Sequence, residues 1–246
     1  MTMEAILEIN NLKKLYKNGR GIDDICLDVR PGDVVGLLGP NGSGKTTTMK
    51  AICGLITADS GSVSIFGNNI EDDFEAAMAK TGFLIEDPAI CLSATAEQNL
   101  KMAAGYYENV TPERIQRVLE LVKLDKYGKD KTARFSLGMK QRLGIALTML
   151  SEPELMILDE PLNGLDIEGI IHIRELISAL AEQKKTAFLI SSHIAAELEK
   201  VCNRVAVLHE GRLLAFEYLE EALRFQPSLE AYYLSVVREA EGSVEL

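Results

Sequence analysis

Apolar residues fall into short runs separated by turn residues, and the period of those runs changes along the chain. Residues 6–9 and 25–29 read as strands, with a turn at Asn18-Gly19 between them and a second at Pro31-Gly32. The run Val34-Val35-Gly36-Leu37-Leu38 has no polar alternation. Such a run suits a strand buried on both faces of a parallel sheet. Residues 45–55 predict a helix, 62–66 a short strand returning to the β-rich layer, and 82–85 a further strand.

From about residue 88 to 150 the pattern becomes helical. Candidate helices cover 96–107, 112–124 and 138–150. In the second, Thr111 is placed to cap, Pro112 stands at the first helical position, and Ile115, Val118, Leu119 and Val122 share one face. Strands and helices then alternate: strand 155–158, helix 167–182, strand 186–191 and helix 194–201. A hairpin follows at 204–208 and 212–216 around Glu210-Gly211. After about residue 225, Leu229, Tyr232, Tyr233, Leu234, Val236 and Val237 mark a terminal amphipathic helix without an assignable role. The expected class is α/β, with an N-terminal antiparallel β subdomain and an inserted α-helical subdomain. It forms a single domain over 1–246: a β-rich core from about 1–87 and 151–225, helices over about 88–150, and a tail over about 226–246.

Composition narrows the classes. A chain of 246 residues can bury about 70–75% of its extended surface without disulfides or structural metal. The 37 acidic against 26 basic residues leave a net charge of −11, which argues against nucleic acid as a partner. No apolar stretch reaches membrane-spanning length, and MTMEAILEIN lacks the basic-then-apolar order of a secretory signal. Cys26, Cys53, Cys91 and Cys202 are far apart with no ligand spacing, so reduced, mostly buried thiols in an intracellular protein are expected.

The chemistry starts at Gly39-Pro40-Asn41-Gly42-Ser43-Gly44-Lys45-Thr46-Thr47, which fits GxxxxGK[ST] between an apolar strand and a helix. Glycines let backbone N–H groups approach a polyphosphate, Lys45 reaches its β and γ oxygens, and the Thr46 hydroxyl suits Mg²⁺. A nucleoside triphosphate is the expected ligand. The apolar strand Leu155-Met156-Ile157-Leu158 ends in Asp159-Glu160. In a parallel sheet the carboxyl ends of strands face the ligand crevice, so Asp159 can hold Mg²⁺ and Glu160 can act as general base. Ser191-Ser192-His193 ends another apolar strand at the same edge, where His193 could meet the γ-phosphate and the attacking water or serve only as a turn residue. His172 and His209 read as surface residues.

Taken together and in this order, these segments resemble the ATP-binding subunit of ABC transporters over nearly the whole chain. Phe135-Ser136-Leu137-Gly138-Met139-Lys140-Gln141-Arg142 is similar to that family's signature motif. There Ser136 and the amides after it begin a helix and present an anion site. The resemblance implies the P-loop NTPase fold of ABC ATPases, with ATP and Mg²⁺ as cofactors. It further implies an ATP-driven homodimer or paired cassette, in which Ser136 and Gly138 close over ATP held by the other copy. Tyr16 resembles the residue that stacks on adenine, or is simply a strand-end tyrosine. Pro161-Leu162-Asn163-Gly164-Leu165-Asp166 resembles the loop in which Asp166 works across the dimer, and His193 resembles the switch histidine.

The chain departs from the family pattern in two places. Leu137 and Met139 stand where glycine and glutamine are usual, which puts the local geometry at Leu137 in question. Glu86 stands where the family has a glutamine that senses metal and water. Its carboxylate can accept from a metal-bound water and would strengthen metal dependence, or it is merely solvated. Leu84-Ile85-Glu86-Asp87-Pro88 together with the signature is similar to the bacitracin-resistance and lantibiotic-immunity branch of exporters. That likeness implies export of antimicrobial peptides or drugs, a separately encoded transmembrane permease, and a cytoplasmic place on the inner face of the membrane. Ala89-Ile90-Cys91-Leu92-Ser93-Ala94 is the candidate docking surface, or ordinary packing of the helical block. The alternatives are a soluble ABC-type ATPase of DNA repair or translation, which usually carries coiled coils or tandem cassettes, and a plain P-loop kinase or GTPase.

Overall fold

A computed structural model describes residues 4–242, and the expectations for 1–3 and 243–246 lie outside the described residues. Two sheets organise it. The first contains β1 (Leu7–Leu15), β2 (Gly21–Val29), β4 (Ser60–Ile65) and β5 (Asn68–Asn69), antiparallel in the order β2-β1-β4-β5. The second has six strands: β3 (Val34–Leu38), β6 (Thr81–Leu84), β7 (Leu155–Leu158), β8 (Ala187–Ser192), β9 (Arg204–His209) and β10 (Arg212–Tyr218). Their order is β10-β9-β3-β8-β7-β6, all parallel except β10, which closes the Glu210-Gly211 hairpin at the edge.

The unbroken apolar run of β3 has a direct cause. Val35 and Leu37 face the layer between the sheets, where Leu7, Ile9, Ile25, Ile157 and Leu189 meet α1 (Lys45–Ile52) through Met49 and Ile52. Val34 and Leu38 face the opposite layer with Leu158, Ile190 and Val207. That second layer is covered by α6 (Ile167–Lys184), α7 (Ala195–Leu198) and α9 (Leu229–Glu241), with α8 (Leu219–Ala222) beside it. The α2 helix (Phe74–Met78) and β5 had no counterpart in the sequence reading. Both are too short for a pattern to register.

The helical block consists of α3 (Ala96–Ala104), α4 (Pro112–Leu121) and α5 (Leu137–Thr148). Each start is capped: Thr95 and Gln98 form a reciprocal box, Thr111 accepts from Arg114 N, and Ser136 accepts from Met139 N. The α4 face Ile115, Val118, Leu119 and Val122 is buried as expected, but the helix stops at Leu121, and Lys123 takes a positive φ of 56° just beyond it.

Two readings need correction, on the histidines and on the cysteines. His172 is half-buried on α6 with Nε2 2.8 Å from Leu121 O, and His209 is half-buried with Nδ1 3.0 Å from the Tyr233 hydroxyl. Neither is a free surface residue, because the helices α4 and α9 pack over them. Of the cysteines, Cys53 and Cys202 are buried while Cys26 and Cys91 are exposed, so thiols are not mostly buried. Burial pushes the Cys53 thiol up to about 12. The expected terminal helix is α9, and its Leu229 and Tyr232 are buried in the layer beneath the main sheet.

Candidate active site

The carboxyl ends of β3, β6, β7 and β8 lie side by side and carry the phosphate loop, the two acidic residues, His193 and Glu86. The parallel register fixes this: Leu38 pairs with Ser192, Leu158 with Ile190, and Leu84 with Leu158. The loop Gly39–Thr47 therefore opens beside Asp159, Glu160 and His193, with Glu86 just past the end of the far strand β6.

Two loop glycines have definite structural reasons. A Cβ on Gly39 would come 2.2 Å from Leu208 O, and Gly44 has a φ of 107° and borders Ile22. Gly211 N donates to Ser43 O at 2.9 Å, so the β9–β10 turn braces the loop from behind. Pro40, Asn41 and Gly42 stay on the solvent side, and the Ser43 hydroxyl is buried without a partner among the described residues. The buried Lys45 Nζ donates to Gly39 O at 2.8 Å and Pro40 O at 3.2 Å, and stands 3.5 Å from Glu160 Oε1. An ammonium held by two carbonyls at the centre of an amide-lined loop is aimed where phosphate oxygens bind.

Asp159 is buried at 4% exposure, and its partners are hydroxyls: Thr46 Oγ1 donates to Oδ2 at 2.8 Å and Ser191 Oγ to Oδ1 at 2.6 Å. No lysine or arginine among the described residues neutralises it. A buried carboxylate beside a threonine hydroxyl, both hard oxygen donors, suits Mg²⁺. Thr47 is half-buried one residue further along α1.

Glu160 takes a positive φ of 47°, which turns it out of the strand direction. Its N–H donates to Ser191 Oγ at 2.8 Å, and its carbonyl accepts from Asn163 N and Gln141 Nε2. Its Oε2 is 2.9 Å from His193 Nδ1. His193 thus faces the carboxylate through one ring nitrogen and leaves the other for a ligand. Burial and the neighbouring Glu160 charge hold the Glu197 carboxyl above its ordinary range, so the edge is crowded with negative charge.

Ser191 had no role in the sequence reading, yet it bonds both acidic residues. Its role follows from the strand register, which the sequence does not state: with Leu158 opposite Ile190, the next pair is Asp159 and Ser191.

Ser136 is exposed and caps α5. The Leu137 and Gly138 amides head that helix, where no intrahelical carbonyl reaches them. Leu137, 63% exposed, lies over Gly164, where an added Cβ would be 2.5 Å from its Cδ2. Gly138 in turn admits Gly164 O, which a Cβ would meet at 2.9 Å. The leucine that replaces the usual glycine is therefore accommodated by a glycine on the facing loop. Asp166 caps α6 through Gly169 N at 3.0 Å and pairs with Arg142 at 3.1 Å.

The partner of Glu86 was not foreseen, and the 89–94 segment divides between the two readings given for it. Glu86 pairs with Lys50 of α1, Oε1 to Nζ 2.7 Å, which offsets its charge. Within 89–94, Ile90 packs against the core, while Cys91 and Leu92 are exposed. Tyr16 is 42% exposed in the β1–β2 turn, whose end at Gly21 lies against Gly44 of the phosphate loop. A cavity of about 1170 Å³ opens elsewhere, between α2 and the α3–α4 loop, lined by Phe74, Met78, Tyr107 and Val110. It holds none of the phosphate chemistry.

A family model described as "ABC transporter" matches residues 22–163, from β2 through the signature and both acidic residues. The chain belongs to the ABC transporter family. It is 40% identical over 90% of its length, and 74% of the relative's, to the bacitracin transport ATP-binding protein BcrA of Bacillus licheniformis. It is 37% identical over 85% of its length, and 89% of the relative's, to the lantibiotic transport ATP-binding protein SrtF of Streptococcus pyogenes. A solved ATP-binding subunit of an ABC transporter superposes with a TM-score of 0.85 at 32% identity, covering 94% of this chain and 99% of that one. This member of the family is an ATP-binding subunit with ATPase activity coupled to transport, on the ABC ATPase fold. The expectations of a DNA-repair or translation ATPase, or of a plain kinase or GTPase, give way to this assignment.

Proposed function

We propose that two copies enclose ATP and Mg²⁺ between them and drive a separate membrane permease that exports antimicrobial peptides. The observation that carries the paired arrangement is the exposed, Ser136-capped start of α5. It is a second phosphate-binding helix end in a chain whose phosphate loop already provides one.

Lys45 and the amides of Gly42 and Gly44 hold the β and γ phosphates, while the Gly39 and Ser43 amides stay on Ser192 O and Pro40 O within the fold, and Tyr16 stacks on the adenine. Thr46 and Asp159 hold the metal, with Glu86 reaching it through water. Bound there, Mg²⁺ would offset negative charge on the phosphate oxygens. Glu160 takes a proton from the attacking water as its oxygen bonds the γ-phosphorus and the bond to the ADP oxygen breaks. His193 fixes that carboxylate. Ser136 and Gly138 meet the γ-phosphate held by the other copy. Asp166, tied to Arg142, carries the loop after Glu160 to the same interface. ATP and ADP differ in affinity for the closed pair, and that difference supplies the motion.

No helix of the described residues is long and apolar enough to cross a membrane. In this reading the permease carries the path for cargo, and the cassette sits on it at the inner face of the membrane. Leu92, 49% exposed, and its neighbour Cys91 supply the contact. The Ser93 hydroxyl and nearby backbone amides hold the Cys91 thiol below its usual range, which makes it a convenient reporter. Leu92→Asp should reduce co-purification of the permease about tenfold with ATP binding unchanged, and permease should shield Cys91 from maleimide. Equal co-purification and equal labelling would remove this surface from the account. The cargo follows from the bacitracin and lantibiotic relatives. Expression with the permease in a sensitive host should raise resistance to such peptides, and Glu160→Gln should abolish the gain. Unchanged sensitivity to both peptide classes with an active ATPase would refute the cargo.

A further inference from the structure

The Lys50–Glu86 pair has no part in the scheme so far. Its side chains are 28% and 59% exposed, and an exposed pair of this kind adds little to folding. Its location is more informative. Lys50 follows Thr46 by four residues on α1, one turn along the same helix face, and Thr46 donates to Asp159. Glu86 comes two residues after Leu84, whose carbonyl accepts from Asp159 N at 2.8 Å. Glu86 has a φ of 58°, in the left-handed region, as the chain leaves β6. Helix and strand thus bring an ammonium and a carboxylate together at the rim of the phosphate site, from either side of Asp159.

A carboxylate at this rim adds to the charge of Asp159, Glu160 and Glu197, and it opposes an incoming triphosphate. We propose that Lys50 is a positioning residue for nucleotide binding. It draws Glu86 onto α1 and offsets its charge, so that the site tolerates an acid at its rim. This rests on the reading of Thr46 and Asp159 as the metal–phosphate end of the site. The pair also joins the phosphate-loop helix to the start of the strap that leads to Cys91 and Leu92.

The test is a double-mutant cycle on the full chain, read by titration with a fluorescent ATP analogue at several Mg²⁺ concentrations. Lys50→Met should weaken binding roughly five- to tenfold, as expected for one uncompensated charge near a polyanion in a high-dielectric setting. The loss should shrink at high salt. Lys50→Arg should bind like the parent, while Glu86→Gln, which loses the water-mediated metal contact, serves as the second background, its own affinity read at each Mg²⁺ concentration. Placed on Glu86→Gln, Lys50→Met should have no further effect. An equal loss in both backgrounds would mean that Lys50 acts on the nucleotide or the helix directly and would overturn the proposal. So would full affinity in Lys50→Met. Lys45→Met, run in parallel, reports on the site itself: undiminished binding there would sink the phosphate-site reading.

Discussion

A Glu160→Gln protein should bind ATP as tightly as the parent and hydrolyse it about 10²–10⁴-fold more slowly, the usual cost of losing a positioned general base. Backbone contacts fix the residue independently of its acid group: the N–H donates to Ser191 and the carbonyl accepts from Asn163 and Gln141. A glutamine therefore occupies the same place and still meets His193, but its amide cannot take a proton from water. Hydrolysis stops while phosphate contacts remain, so a nucleotide-bound dimer should accumulate. Steady-state ATPase rates and light scattering with ATP check both halves. Full turnover in the variant would place the base elsewhere.

Lys45→Met should weaken ATP binding by about 10²-fold or more. Truncating one member of a buried, hydrogen-bonded charge interaction costs about 2–5 kcal/mol, and each 1.4 kcal/mol is a factor of ten. The ammonium is 5% exposed and held by Gly39 O and Pro40 O. A phosphate arriving in that loop would meet amides but no formal positive charge from this side chain, and Glu160 would lose its nearest cation. The methionine keeps the length and apolar stem, so thermal stability should change little. Calorimetric titration with ATP measures the loss, and affinity within threefold of the parent would contradict it.

The legibility of the site varied with the range of the contacts involved. The phosphate loop, Asp159-Glu160 and His193 were readable because each follows an apolar run, and a parallel sheet aligns the ends of such runs. The capped starts at Thr111 and Ser136 depend on neighbours within a turn, so local sequence describes them well, and the Thr95 box is of the same local kind though it was not read. Ser191 escaped because its role depends on register with β7, a relation between residues 32 apart. His172 and His209 escaped for the same reason, since each partner lies on a distant helix.

The departures from the family pattern show the same division. The sequence reveals that Leu137 replaces a glycine and Glu86 a glutamine, but not what receives them. Gly164 accommodates the leucine and Lys50 neutralises the glutamate. The resemblance that gives the family, and the place of the phosphate loop, Asp159 and Glu160 at strand ends, were legible in the chain itself, because motif spacing and apolar periodicity are local properties. The braces around those residues were decided by tertiary structure. Side-chain partners far apart along the chain are set by strand register and helix packing, which no local window contains.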